Sequence, residues 1–73
     1  MPYVCKMISE NVMELISCNF TWDKTISHFW YFDIKEWKRS VTGKENEIPT
    51  KPMIQSEIDW VTKYYLPRTR KIN

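Results

Sequence analysis

Apolar residues are densest between Thr21 and Gly43, where Trp22, Ile26, Phe29, Trp30, Ile34, Trp37 and Val41 recur at spacings of one, three or four. Such a recurrence is how one buried stripe along a helix shows itself in sequence. Thr21 offers an N-cap oxygen, Asp23 falls in the first turn, and Gly43, the only glycine, stands where a helix C-terminus favours a left-handed residue. The spacing therefore predicts a helix over 22–42, broken near Asp33, whose carboxylate can cap a second piece. A two-residue period can also be drawn, with Ile26, His28, Trp30, Phe32 and Ile34 against Ser27, Phe29, Tyr31 and Asp33. No second convincing strand exists to pair with it, so the helix is the reading adopted.

The flanks are read in the same way. Ser9 can cap a helix over 9–18, with Glu10 in its first turn and Val12, Leu15 and Ile16 on one face. Residues 3–8 are ambiguous, because Tyr3, Cys5 and Met7 could line one side of a short strand while Val4, Ile8, Val12 and Leu15 continue a helical pattern backwards, and helix is the reading adopted. Residues 44–55 contain Pro49 and Pro52, which remove amide donors, and form a connector pinned by Ile48, Met53 and Ile54. Ser56 and Asp59 resemble a cap before a last helix over 57–66, with Ile58, Val61 and Tyr65 marking one face. Pro67 ends it, and Arg68, Arg70 and Lys71 make residues 67–73 a flexible basic tail. The expected fold is all-α, a single-domain bundle of three to four helices.

Composition changes this picture in two respects. At 73 residues with no alanine and aromatics at 15%, the core must be filled by a few large side chains, near the lower size limit for folding without staples or a partner. A homodimer is accordingly among the expectations. The net charge of +2 is ordinary solubility rather than the footprint of an obligate nucleic-acid binder. Cys5 and Cys18 are too few for a disulfide framework, and no apolar run reaches a signal peptide or membrane span. A cytoplasmic protein with reduced thiols is expected. The Asn19-Phe20-Thr21 sequon is then a chance match. Scarce alanine and glycine beside abundant Ile, Lys, Asn and Tyr point to an AT-rich genome, and a short free-standing frame of this kind suits a phage, virus or mobile element.

Candidate chemistry is sparse. His28 is the only histidine, and Cys5, Cys18 and His28 lack the short paired spacing of a zinc site. One glycine excludes a phosphate-cradling loop. No enzyme, metal or cofactor is expected. The aromatic run Phe29-Trp30-Tyr31-Phe32 is more telling, since four successive helical positions point all round the circumference and exceed what one face can bury. His28, Tyr31 and Phe32, with Trp60 and Tyr64 on the last helix, are the expected anchors of a protein interface. The first functional expectation is a non-enzymatic factor that binds and inhibits or modulates a host protein. The second is a DNA-binding helix-turn-helix of the excisionase sort, from helix 9–18, a turn at 19–21 and the helix that follows. Its contacts would come from Lys24, Lys35, Lys38, Arg39, Arg68, Arg70 and Lys71.

Overall fold

The chain forms an antiparallel sheet with one helix across it, which replaces the all-α helical bundle expected from the apolar spacing. The computed structural model describes residues 3–20 and 25–70, with side chains described for 3–17 and 27–70. Five strands follow in sequence order as neighbours: β1 (Tyr3–Met7), β2 (Val12–Phe20), β3 (Thr25–Asp33), β4 (Lys38–Arg39) and β5 (Lys51–Pro52). The helix α1 (Gln55–Trp60) continues without interruption through a wider π turn, Val61–Tyr65, and a tighter 3-10 turn, Leu66–Arg68.

The helices expected over 9–18 and 22–42 are thus the strand pair β2–β3 with the turns and short strands that follow. Aromatic and β-branched residues lose side-chain freedom on a helix and pack well on a pleated surface, so the composition already favoured extended backbone. The alternation set aside for want of a partner is the one the structure uses. In the partner, β2, Val12 and Ile16 lie on one face with Glu14, while Met13 and Leu15 lie on the other. Apolar residues on both faces erase the two-residue period by which a half-buried strand is recognised.

Turn residues keep their chemistry in this different setting. The Ser9 hydroxyl accepts a hydrogen bond from Val12 N–H at 3.2 Å, an i to i+3 bond of the capping kind, but it closes the β1–β2 turn. Asp33 Oδ1 accepts from Lys35 and Glu36 N–H, both at 2.9 Å, and shapes the β3–β4 turn instead of starting a helix. That turn ends on Trp37 with a φ of 55°. Gly43 has a φ of 73°, and its carbonyl accepts from Phe29 N–H at the edge of β3.

Alternation assigns each side chain to a face. Cys5, Met13, Leu15 and Phe32 point towards the helix, where Met53 and Val61 complete the buried core. Tyr65 packs edge-on to Tyr3 at 5.5 Å and stacks on Phe32 at 6.5 Å between ring centroids. Of the stripe expected to form the core, Trp30, Ile34 and Trp37 are half-buried against this cluster, and Phe29 is half-buried on the opposite face. Val41 is exposed, while Trp22 and the Ile26 side chain lie outside the described residues.

The opposite face of the sheet carries Tyr31, which is 1% exposed. Its hydroxyl donates to Glu14 Oε2 and accepts from Asn46 N–H, both at 2.9 Å, so the segment after β4 lies over it. Glu47 fastens that segment by accepting from the backbone of Val41 and Thr42 and from the Thr42 hydroxyl.

At the chain end, residues 67–70 are docked and do not form a tail. Arg70 bridges Lys6 in parallel along the outer edge of β1, where its N–H donates to Cys5 O and its carbonyl accepts from Met7 N–H. Lys71 lies outside the described residues.

Candidate binding groove

Alternation on β2 and β3 brings Leu15, Trp30 and Phe32 to the sheet face beneath the helix, and the helix does not cover them fully. The uncovered part is an open groove of about 570 Å³. Leu15, Trp30 and Phe32 floor it, and Trp60, Val61 and Tyr65 form its helical wall. Arg39, Ser56 and Glu57 supply its polar edge. A groove of this size, mostly apolar with a few polar groups, is the form in which binding sites usually occur.

Its wall ends in an aromatic ledge. Trp60 is 54% exposed, and its ring lies 4.4 Å from that of Tyr64, with the Lys63 ammonium 5.4 Å from the Tyr64 ring centroid. The two aromatics meet because they are four residues apart on one helical rod. The polar edge is neutral as a pair: Arg39 Nε lies 2.8 Å from Glu57 Oε2, and Arg39 Nη1 donates to Ser40 O at 3.0 Å. Arg39 reaches Glu57 because it lies opposite Phe32 in the β3–β4 register, on the helix side of the sheet.

The expected protein-binding residues therefore separate. Trp60 lines the groove and Tyr64 packs against it outside the lining, and His28 is exposed further along the Trp30 side of β3. Tyr31 and Phe32 are buried, 1% and 8% exposed, and are not surface anchors. Four consecutive aromatics exceed one face of a helix, but a strand divides them between two faces, with Phe32 buried on one and Tyr31 on the other. Trp30, Leu15 and Glu57 were not among the expected site residues, and Arg39 was expected only as a nucleic-acid contact. The only signal for Trp30 was the two-residue alternation with His28 and Phe32. The pairing of Arg39 with Glu57 joins residues distant in sequence and left no local sign.

The residues expected to contact nucleic acid do not converge. Lys24 and Lys71 lie outside the described residues, and Lys35 is exposed in the β3–β4 turn. Lys38 lies 3.4 Å from Glu36, and Arg39 is engaged by Glu57. Arg68 contacts the Tyr3 hydroxyl, and Arg70 is at the β1 edge, so these two stand across β2 and β3 from Lys38 and Arg39. The helix-turn-helix is removed outright, since both of its helices are strands.

Among the described residues no group of three His, Cys, Asp or Glu could hold a metal, and no helix is long and apolar enough to cross a membrane. Burial pushes the Cys5 thiol up, opposed by the Arg68 charge and by Thr69, so this cysteine is a core residue and a poor nucleophile. No family model, curated protein or solved structure matches the chain.

Proposed function

We propose that the protein is a small non-enzymatic binding factor whose groove accepts an apolar segment of another protein. The observation that carries this reading is Trp60, exposed on the wall of a groove floored by Leu15, Trp30 and Phe32, with the Tyr64 ring against it. Tryptophan and tyrosine are the residue types that dominate interface energetics, and a tryptophan held half out of a folded surface has most to gain from being covered. The role proposed with it is that of an accessory factor of a phage, virus or mobile element, acting by occupying and modulating a host protein. The basic residues give a DNA-binding role no comparable support, because those described are divided between the β1 edge and the β3–β4 side of the sheet and Lys38 and Arg39 are paired with acids.

Selection of a random peptide library on the immobilised protein tests the reading. Peptides with bulky apolar side chains are expected, and they should lose binding at least about tenfold to Trp60→Asp, equivalent to ~1.4 kcal/mol. The far-ultraviolet circular dichroism of that variant should be unchanged. Recovery of no binders, or of binders indifferent to Trp60→Asp, overturns the assignment of the groove.

A further inference from the structure

We infer that residues 69 and 70 are a releasable guard on the outer edge of β1, and that letting them go opens this edge to a further strand. The edge lies apart from the groove, since no residue of β1 lines it.

An edge strand turns the N–H and C=O groups of alternate residues outward, in a row that any extended chain can join. On β1 these are the groups of Cys5 and Met7, and Arg70 takes both: its N–H donates to Cys5 O at 3.2 Å and its carbonyl accepts from Met7 N–H at 2.9 Å. Arg70 thus stands where an added parallel strand would begin, and it does so with its backbone alone. Without it the edge would have little to repel an incoming chain, because Lys6 is the only charge along β1 and Val4 is 52% exposed. The strand at the other end of the sheet guards itself. β5 is the exposed pair Lys51–Pro52, and a charge and a proline without an N–H are the usual devices that blunt an edge.

The guard is anchored where it begins and lightly held where it pairs. The Thr69 hydroxyl donates to Tyr65 O at 2.6 Å and lies 3.0 Å from Met13 Sδ. Arg68 contacts the Tyr3 hydroxyl, with its guanidinium 6.0 Å from the centroid of that ring. These contacts turn the chain back onto the sheet as it leaves the helix. Among the described residues, the pairing that follows is one bridge, Lys6 with Arg70, whereas β1 and β2 pair along all five residues of β1. A single bridge near a chain end opens locally, with the β1–β2 ladder intact beside it.

Amide hydrogen exchange of the full chain, followed residue by residue by NMR, reads the guard directly. The Met7 amide, bonded to Arg70, should exchange at least about tenfold faster than the Lys6 amide, which alternates towards β2. Its rate should not respond to low urea, because local opening exposes little surface. Arg70→Pro removes the N–H that Cys5 O accepts, and the extended Thr69 before it, with φ −77° and ψ 132°, already suits a following proline. This variant should speed Met7 exchange further and leave Lys6 unchanged. Opened edges in a purified sample have only one another to join, so Arg70→Pro should sediment as larger species than the wild type between about 1 and about 100 µM, a range that spans micromolar association. Arg70→Ala keeps both backbone bonds and should match the wild type in exchange and sedimentation. A Met7 amide that exchanges only together with Lys6, through unfolding, overturns the inference even where Arg70→Pro does not fold. So does an Arg70→Pro chain with a freed Met7 amide that sediments as the wild type does, or an Arg70→Ala chain that associates as Arg70→Pro does.

Discussion

Tyr31 shows how much one side chain decides in a core this small. Its hydroxyl joins Glu14 on β2 to the backbone of Asn46, and its own N–H donates to the Ser40 hydroxyl at 3.1 Å. Tyr31→Phe keeps the ring but leaves a buried carboxylate and an amide short of a partner, at a cost of about 1–3 kcal/mol. The urea midpoint at pH 7 should fall accordingly. Burial first, with the nearby Glu14 adding to it against the opposing Asn46 bond, holds the Tyr31 phenol above the ordinary value of 10.0. The folded state therefore keeps this proton where the unfolded chain releases it. Stability from the group is complete below the unfolded value and is lost as pH rises from 10 through the folded value. The gap between wild type and Tyr31→Phe should narrow over that window in urea titrations, and a constant gap would contradict the buried phenol.

At the scale of elements, Asp33 both directs β3 into β4 and reports on the turn. The Glu36 and Lys35 amides hold its carboxylate below the usual 3.8. The stabilisation is present above that value and is lost as pH falls through the folded value. Asp33→Asn retains an oxygen acceptor for both amides but cannot titrate. It should keep most of the stability at pH 7 while removing this contribution to acid sensitivity, as read by thermal melts from pH 6 to pH 2. Asp33→Ala should lose stability at both ends. The sequence was informative here about the residue and mistaken about the element. Ser9, Asp33 and Gly43 each make the local bond or adopt the left-handed turn expected of them, because such turn chemistry depends on a few neighbouring atoms. The last helix lies where it was expected, beginning at Gln55 two residues early, since its apolar face Ile58–Val61–Tyr65 is a local three- and four-residue pattern.

For the molecule as a whole, the main core is one layer of side chains between sheet and helix, with Tyr31 buried separately on the other sheet face. A 73-residue domain has a total stability of about 4–11 kcal/mol. Met13 is 0% exposed at the centre of β2, and Met13→Ala should cost roughly 2–5 kcal/mol. The variant should lose about a fifth or more of the wild-type unfolding free energy in urea, and a change below about 1 kcal/mol would show that this core is not the one holding the fold. The helical wall of the groove was legible in sequence, in Trp60, Val61 and Tyr65, because spacings of one and four on a helix are local. The rest, Leu15 and Trp30 beside Arg39, is assembled by strand register.

By itself the sequence determined which residues carry turn chemistry, where the last helix would lie and that Trp60 and Tyr64 would stand together at its surface. These follow from contacts within a few residues. Tertiary structure decided that residues 12–33 are extended, that Tyr31 and Phe32 are buried on opposite faces, and that Arg39 meets Glu57. Such outcomes depend on pairing across the chain, as Tyr3 with Ser17 and Met13 with Phe32, and on what covers each face. Where both faces are covered, apolar residues fill both, and a run such as Phe29–Phe32 accommodates a period of two as readily as one of 3.6.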